Sequence, residues 1–142
     1  MKTRQEYEKF INEKFHGKAK ELLLKNVELY YKEDIDITKN KYLKKLYCKS
    51  NNLKTIDTSK NEQLVSLRCA WNKIESLDLK NNKYLSTIGA KYNKLKTLDL
   101  GNNIYLKKLY LSNNSMQEID VSKNTILEHI TNLNTLTKTL IF

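Results

Sequence analysis

Leucine and isoleucine recur at fixed intervals through the middle of the chain. From Leu43 the pattern reads Leu-x-x-Leu-x-Cys-x-x-Asn-x-Leu-x-x-Ile-Asp-x-x-x-Asn-x-x, and it restarts every 21 residues at Leu64, Leu85 and Leu106, with Leu127 opening a further copy. Counting repeat positions from zero, position 3 holds Leu46, Leu67, Ile88, Leu109 and Ile130, and position 13 holds Ile56, Leu77, Leu98 and Ile119. Such a period is the signature of a solenoid, whose coils bury their apolar positions only by stacking on one another. Positions 0, 3, 5, 10, 13 and 15 are the expected inward columns. Two strand-like segments are expected per coil, at positions 0–5 and 10–15.

Outside the repeats the period changes. Thr3 and Glu6 form a capping box, and Tyr7, Phe10, Ile11 and Phe15 fall at helical spacing. Gly17 is a natural stop, and a second helix is expected from Lys18, with Ala19, Leu22, Leu23, Val27 and Tyr30 along one stripe. Ile35 to Asn40 matches the second half of a repeat. The expected organisation is a helical cap over 1–34, repeats over 35–126 and a degenerate terminal repeat or cap over 127–142. In that last part Ile126, Leu127, Ile130 and Leu133 also suit a helix, while Thr139 to Phe142 suits a closing strand.

The spacing Leu-x-x-Leu-x-Leu-x-x-Asn-x-Leu resembles that of leucine-rich repeats, and the likeness of the two half-repeats resembles the nested 21-residue bacterial class sometimes called IRREKO-type. The resemblance covers four repeats and leaves the N-terminal segment outside. It implies an α+β solenoid with short parallel strands and an N-terminal helical cap, and a role in protein–protein contact without a common enzymatic activity.

Asn51, Asn72, Asn93 and Asn114 share position 8, and Asn61, Asn82, Asn103 and Asn124 share position 18. Both columns fall at turns, where their amides can satisfy backbone groups left unpaired. Asp36, Asp57, Asp78, Asp99 and Asp120 share position 14 and point outward. Turn amides and nearby lysines suit these carboxylates better than a metal does, because oxygen-ligand cages converge carboxylates from several directions. Cys48 and Cys69 lie one period apart at inward position 5 and read as buried free thiols. His16 and His129 read as ordinary surface or cap residues. Tyr42, Tyr84 and Tyr105 line another turn column, where packing against the next coil is expected.

Charge sharpens this picture. The 142-residue chain carries 26 basic and 16 acidic side chains, net +10, but residues 1–39 contribute only nine and eight of them. The excess sits on the repeats. The outward positions of the first segment collect Lys44, Lys45, Lys49, Arg68, Lys91, Lys107 and Lys108, with no acid before Glu128, together with Tyr47, Trp71, Tyr92 and Tyr110. The second segment balances Lys54, Lys60, Lys80, Lys96 and Lys123 against Asp57, Glu75, Asp78, Asp99, Glu118 and Asp120. Trp, Tyr and Arg are enriched at binding hot spots, and Gly89, mid-segment in the same basic face, is a residue that often marks close approach of another backbone.

These features point to a binding module that recognises an acidic partner protein through the basic, aromatic face, with the lysines steering approach. A second reading has the same face contact nucleic acid or a nucleoprotein complex, such as a bacterial defence ribonucleoprotein inhibited by a phage protein. No glycine-rich phosphate loop, paired nucleophile and base, or metal-ligand spacing is present, so no enzyme, cofactor, metal or small-molecule substrate is expected. No apolar run is long enough for a membrane span, and the charged start lacks the apolar core of a secretory signal, which suggests a cytoplasmic protein.

Overall fold

The computed structural model describes Glu6 and residues 21–23, 35–131 and 139–141. Eight short strands occur there: β1 Glu21–Leu23, β2 Lys45–Tyr47, β3 Ser66–Arg68, β4 Thr87–Gly89, β5 Lys108–Tyr110, β6 Glu118–Asp120, β7 His129–Ile130 and β8 Thr139–Ile141. One parallel sheet runs β1-β2-β3-β4-β5-β7, and β6 pairs with β8 in a second. From β2 onward the register advances by one repeat at each step, as in Leu46↔Leu67, Leu67↔Ile88 and Ile88↔Leu109. The 21-residue period is therefore one coil of a solenoid, and equivalent positions become columns at a strand spacing of about 4.8 Å.

Each inward column is buried. Leu43, Leu64, Leu85 and Leu106 line one; Cys48, Cys69, Ala90 and Leu111 another; and Leu53, Ile74, Leu95 and Met116 a third. Positions 13 and 15 close the far side, and Thr58 at position 15 is the one hydroxyl in that set, its Oγ1 donating to Asn82 Oδ1 at 2.6 Å. Leu127 and Ile130 pack at the core's edge, where the pattern decays.

Asparagine holds the turns. At position 18, Asn82 Nδ2 donates to the carbonyls of Thr58 and Asn61 on the preceding coil, both at 2.9 Å. Asn61, Asn103 and Asn124 repeat the same pair of bonds one coil away each. At position 8, Asn72 Nδ2 donates to the Cys48 carbonyl at 3.0 Å while its Oδ1 accepts the Leu53 amide at 3.0 Å. Asn93 and Asn114 do likewise. A primary amide carries its donor and its acceptor on separate atoms, so one asparagine satisfies both a carbonyl and an amide in a buried turn.

The aspartate column is also structural. Asp36, Asp57, Asp78, Asp99 and Asp120 each accept the amide two residues on, at 2.8–3.1 Å. These are Asx turns. The Ser59 and Ser122 hydrogen bonds hold the Asp57 and Asp120 carboxyls below their ordinary range.

Two expectations need correction. The second half-repeat is extended but, among the described residues, forms a ladder only at β6; elsewhere one or two backbone bonds per coil suffice, such as Lys73 N to Leu53 O at 2.8 Å and Lys94 N to Ile74 O at 2.8 Å. Asparagine bonds replace the missing ladder there. The second helix expected from Lys18 also fails at Glu21–Leu23, which is strand β1, paired in parallel with β2. An open parallel edge leaves a row of backbone groups to satisfy, and that demand outweighs the amphipathic stripe at these residues. Glu6 is helical, and the remainder of the expected cap lies outside the described residues, as do residues 132–138. The partial coil at Ile35 to Asn40 and the closing strand at Thr139 to Ile141 form as expected, with Ile37 and Asn40 fully buried.

Two measurements check this framework. Asn82→Ala removes three buried hydrogen bonds, the two that its amide gives to the Thr58 and Asn61 carbonyls, which keep their turn amides, and the one that it accepts from the Thr58 hydroxyl. At about 0.5–1.5 kcal/mol each, urea unfolding should show a loss of about 1.5–4.5 kcal/mol; Asn81→Ala, on the exposed neighbour, should stay within about 0.5 kcal/mol. Because the folded carboxyls of Asp57 and Asp120 are depressed, their contribution is present above the unfolded carboxylate range and lost as pH falls through the lowered folded values. Ser59→Ala should flatten that acid limb in a stability–pH profile.

Candidate functional site

The strand side presents positions 1, 2, 4, 6 and 7 outward, and the parallel register brings residues far apart in sequence into contact. Position 4 forms the column Tyr47, Arg68, Gly89, Tyr110. The Arg68 guanidinium carbon lies 5.4 Å from the centroid of the Tyr47 ring, a cation–π contact. Lys91 Nζ lies 5.4 Å from the Tyr110 centroid, and the opposite neighbour of Tyr110 is His129, its ring tilted at 5.2 Å. The arginine and the lysine are thus held over tyrosine faces and not over acids.

Lys44, Lys45, Lys49, Arg68, Lys107 and Lys108 are exposed, and Tyr47, Lys91 and Tyr110 are half-buried. Lys107 pairs with Glu128 at 3.7 Å, both side chains well exposed, a bond worth little in water. Gly89 is the exception. It is buried, and a Cβ there would meet Arg68 Cγ at 3.6 Å. The stem of Arg68 lies beside it at ordinary van der Waals distance.

Position 7 holds what the repeat pattern did not reveal. Ser50, Trp71, Tyr92 and Asn113 all have left-handed backbone, with φ of 61°, 58°, 55° and 61°. This turn links the strand to the return segment, and each amide is already used across the coils, as in Trp71 N to Lys91 O at 2.9 Å and Tyr92 N to Ser112 O at 2.9 Å. Asparagine tolerates this conformation; a bulky ring does so at about 1–2 kcal/mol each. Trp71 and Tyr92 stack at 3.8 Å between centroids and 10° between planes, yet remain 51% and 40% exposed. Stacking returns about 0.5–1.5 kcal/mol beyond the apolar area that the two rings bury, so the contact offsets backbone strain while half of the indole stays exposed. Asn113, directly before Asn114, is the sequence signal that could have exposed the left-handed column.

Elsewhere the chemistry is quiet. Shallow grooves of about 240 and 370 Å³ lie between the aspartate turns, one lined by Asp57 and Asp78 and the other by Asp78 and Asp99. Their carboxylates already accept turn amides, and among the described residues no group of three His, Cys, Asp or Glu could hold a metal. Cys48 and Cys69 are free and buried; burial pushes both thiols up, Cys69 to about 12. On the opposite turn, Tyr84 and Tyr105 pack on each other across coils at 6.1 Å, as the column reading expects, and keep about half their surface exposed. No described helix is long and apolar enough to cross a membrane.

Comparison with solved structures decides the family. The functional domain of InlJ from Listeria monocytogenes, which includes a cysteine ladder, matches with a TM-score of 0.65 and 36% identity over 76% of this chain. The chain is a leucine-rich repeat protein. It spans 27% of the InlJ chain that it matches. The leucine-rich effector protein YopM from Yersinia pestis also matches, at 22% identity and a TM-score of 0.45, over 99% of this chain and 60% of its own. No protein-family model matches the chain, and no curated protein matches it.

A thiol reagent tests the placement of the cysteine column. In native protein at neutral pH, Cys48 and Cys69 should resist Ellman's reagent, and both should react at once after denaturation; rapid native labelling of either would contradict their burial.

Proposed function

We propose that this leucine-rich repeat protein is a non-catalytic binding module that recognises an acidic partner protein through its strand face. The observation that carries the reading is the exposed Trp71–Tyr92 stack, held on left-handed backbone beside the cations of the strand face. Strain of this kind persists where function retains it, and large rings beside arginine are the commonest anchors of protein interfaces.

Charge indicates the kind of partner. Arg68 and Lys91 rest over tyrosine rings, which leaves their positive charge uncompensated by a carboxylate. Among the described side chains, the one ion pair on this face joins Lys107 to Glu128 at its far end, and strand register sets Glu21 beside Lys45 at the near end. Lys44, Lys45, Lys49 and Lys108 extend the positive field to either side, where it speeds encounter with an acidic surface. Repetition itself argues for binding, because a column of like groups builds a surface, whereas catalysis needs unlike groups converging on one point.

The test is a capture experiment from native lysate, in RNase-treated and untreated arms, with wild-type protein and the variant carrying Trp71→Asn and Arg68→Ala. Asparagine retains the left-handed turn, so the melting temperature should move by no more than a few degrees. An acidic protein should be retained by wild type in both arms, and its affinity measured by calorimetry should fall by at least about 2 kcal/mol in the variant. Unchanged affinity would remove the site, and capture lost on RNase treatment would shift the reading to nucleoprotein.

A further inference from the structure

Resting on that reading, we infer that the exposed face of Trp71, above Ser50, is a shelf for an aromatic side chain of the acidic partner, flanked by cations that take the neighbouring carboxylates. One face of the indole is covered by Tyr92 at 3.8 Å. Its column neighbour on the other side is Ser50, whose side chain is too short to cover an indole. Equivalent backbone bonds, Ser50 N to Ala70 O at 3.0 Å and Trp71 N to Lys91 O at 2.9 Å, place these residues in one vertical file. Half of Trp71 accordingly remains open to solvent although one of its faces is stacked.

A third ring laid over Ser50 continues a stack that the protein has already begun. It would gain the offset or parallel contact that aromatic pairs prefer and would displace water from both indole and ring. The Ser50 end is favoured over the Asn113 end by charge. Exposed Lys49 adjoins Ser50, and exposed Arg68 stands on the adjacent strand, its head towards Tyr47 on the same coil as Ser50. At the other end Lys107 is already engaged by Glu128. The occupant is thus a short acidic segment with one phenylalanine, tyrosine or tryptophan between carboxylates.

Trp71 is the sole tryptophan of the chain, so its fluorescence reports the shelf directly. The probes are two synthetic peptides of aspartate and glutamate, one with a central phenylalanine and the other with leucine in its place, titrated against full-length protein. The phenylalanine peptide should bind about fivefold more tightly, the share expected of one aromatic pair, and should perturb Trp71 emission. Ser50→Tyr extends the stack with the protein's own ring, on backbone that Tyr92 shows a tyrosine can adopt. That variant should keep the wild-type melting temperature within a few degrees and lose the preference for phenylalanine.

Equal affinity of the two peptides, with binding still lost on Arg68→Ala, overturns the shelf and leaves the acidic-partner reading standing. Undiminished preference in Ser50→Tyr also overturns it. Failure of both peptides to bind wild type overturns the shelf and the broader reading together, and quenching by a single-stranded oligonucleotide alone would do the same in favour of nucleic acid.

Discussion

The buried asparagine amide is the interaction on which the rest of this solenoid depends. Each coil must reverse direction twice while its carbonyls lie inside, and a buried carbonyl without a donor costs about as much as a lost core methylene or two. The position 18 file sends two N–H groups from each Asn82-type amide down to the coil below, as second donors to carbonyls that already accept a turn amide. The position 8 file uses both ends of the amide, as Asn72 does between Cys48 and Leu53. Leucine columns supply most of the burial energy, but leucines slide on one another. The amides do not, and they lock successive coils in register.

That lock explains why the return side can dispense with a continuous sheet. Once Asn72, Asn93 and Asn114 have satisfied the turn, one or two backbone bonds per coil hold the extended segment. The aspartates add local Asx turns on the outside, which uses their charge on their own backbone. Structure and electrostatics are divided between two sides of the same coil, and Cys48 and Cys69 serve the core as small, inert fillers.

The strand face departs from this economy at one place. Ser50, Trp71, Tyr92 and Asn113 all take left-handed backbone at the same turn, and at Trp71 and Tyr92 the ring contact offsets strain. Arg68 adds to the same neighbourhood by lying over Tyr47. Rings and cations thus come together on one side of the coil, with half of the indole exposed.

Period and hydropathy by themselves determined the solenoid, the coil length, the six inward columns and the turn asparagines, because a strict repeat converts sequence spacing directly into spatial columns. Three things waited for the tertiary structure. Glu21–Leu23 became a strand because an open sheet edge, invisible in its local pattern, needed a partner. Gly89 turned out to be buried because burial of a glycine is set by its neighbours' side chains and not by its own. The left-handed turn at Trp71 and Tyr92, and the ring contact it creates, came from the geometry of stacking coils, which dictates a backbone angle that no apolar period encodes.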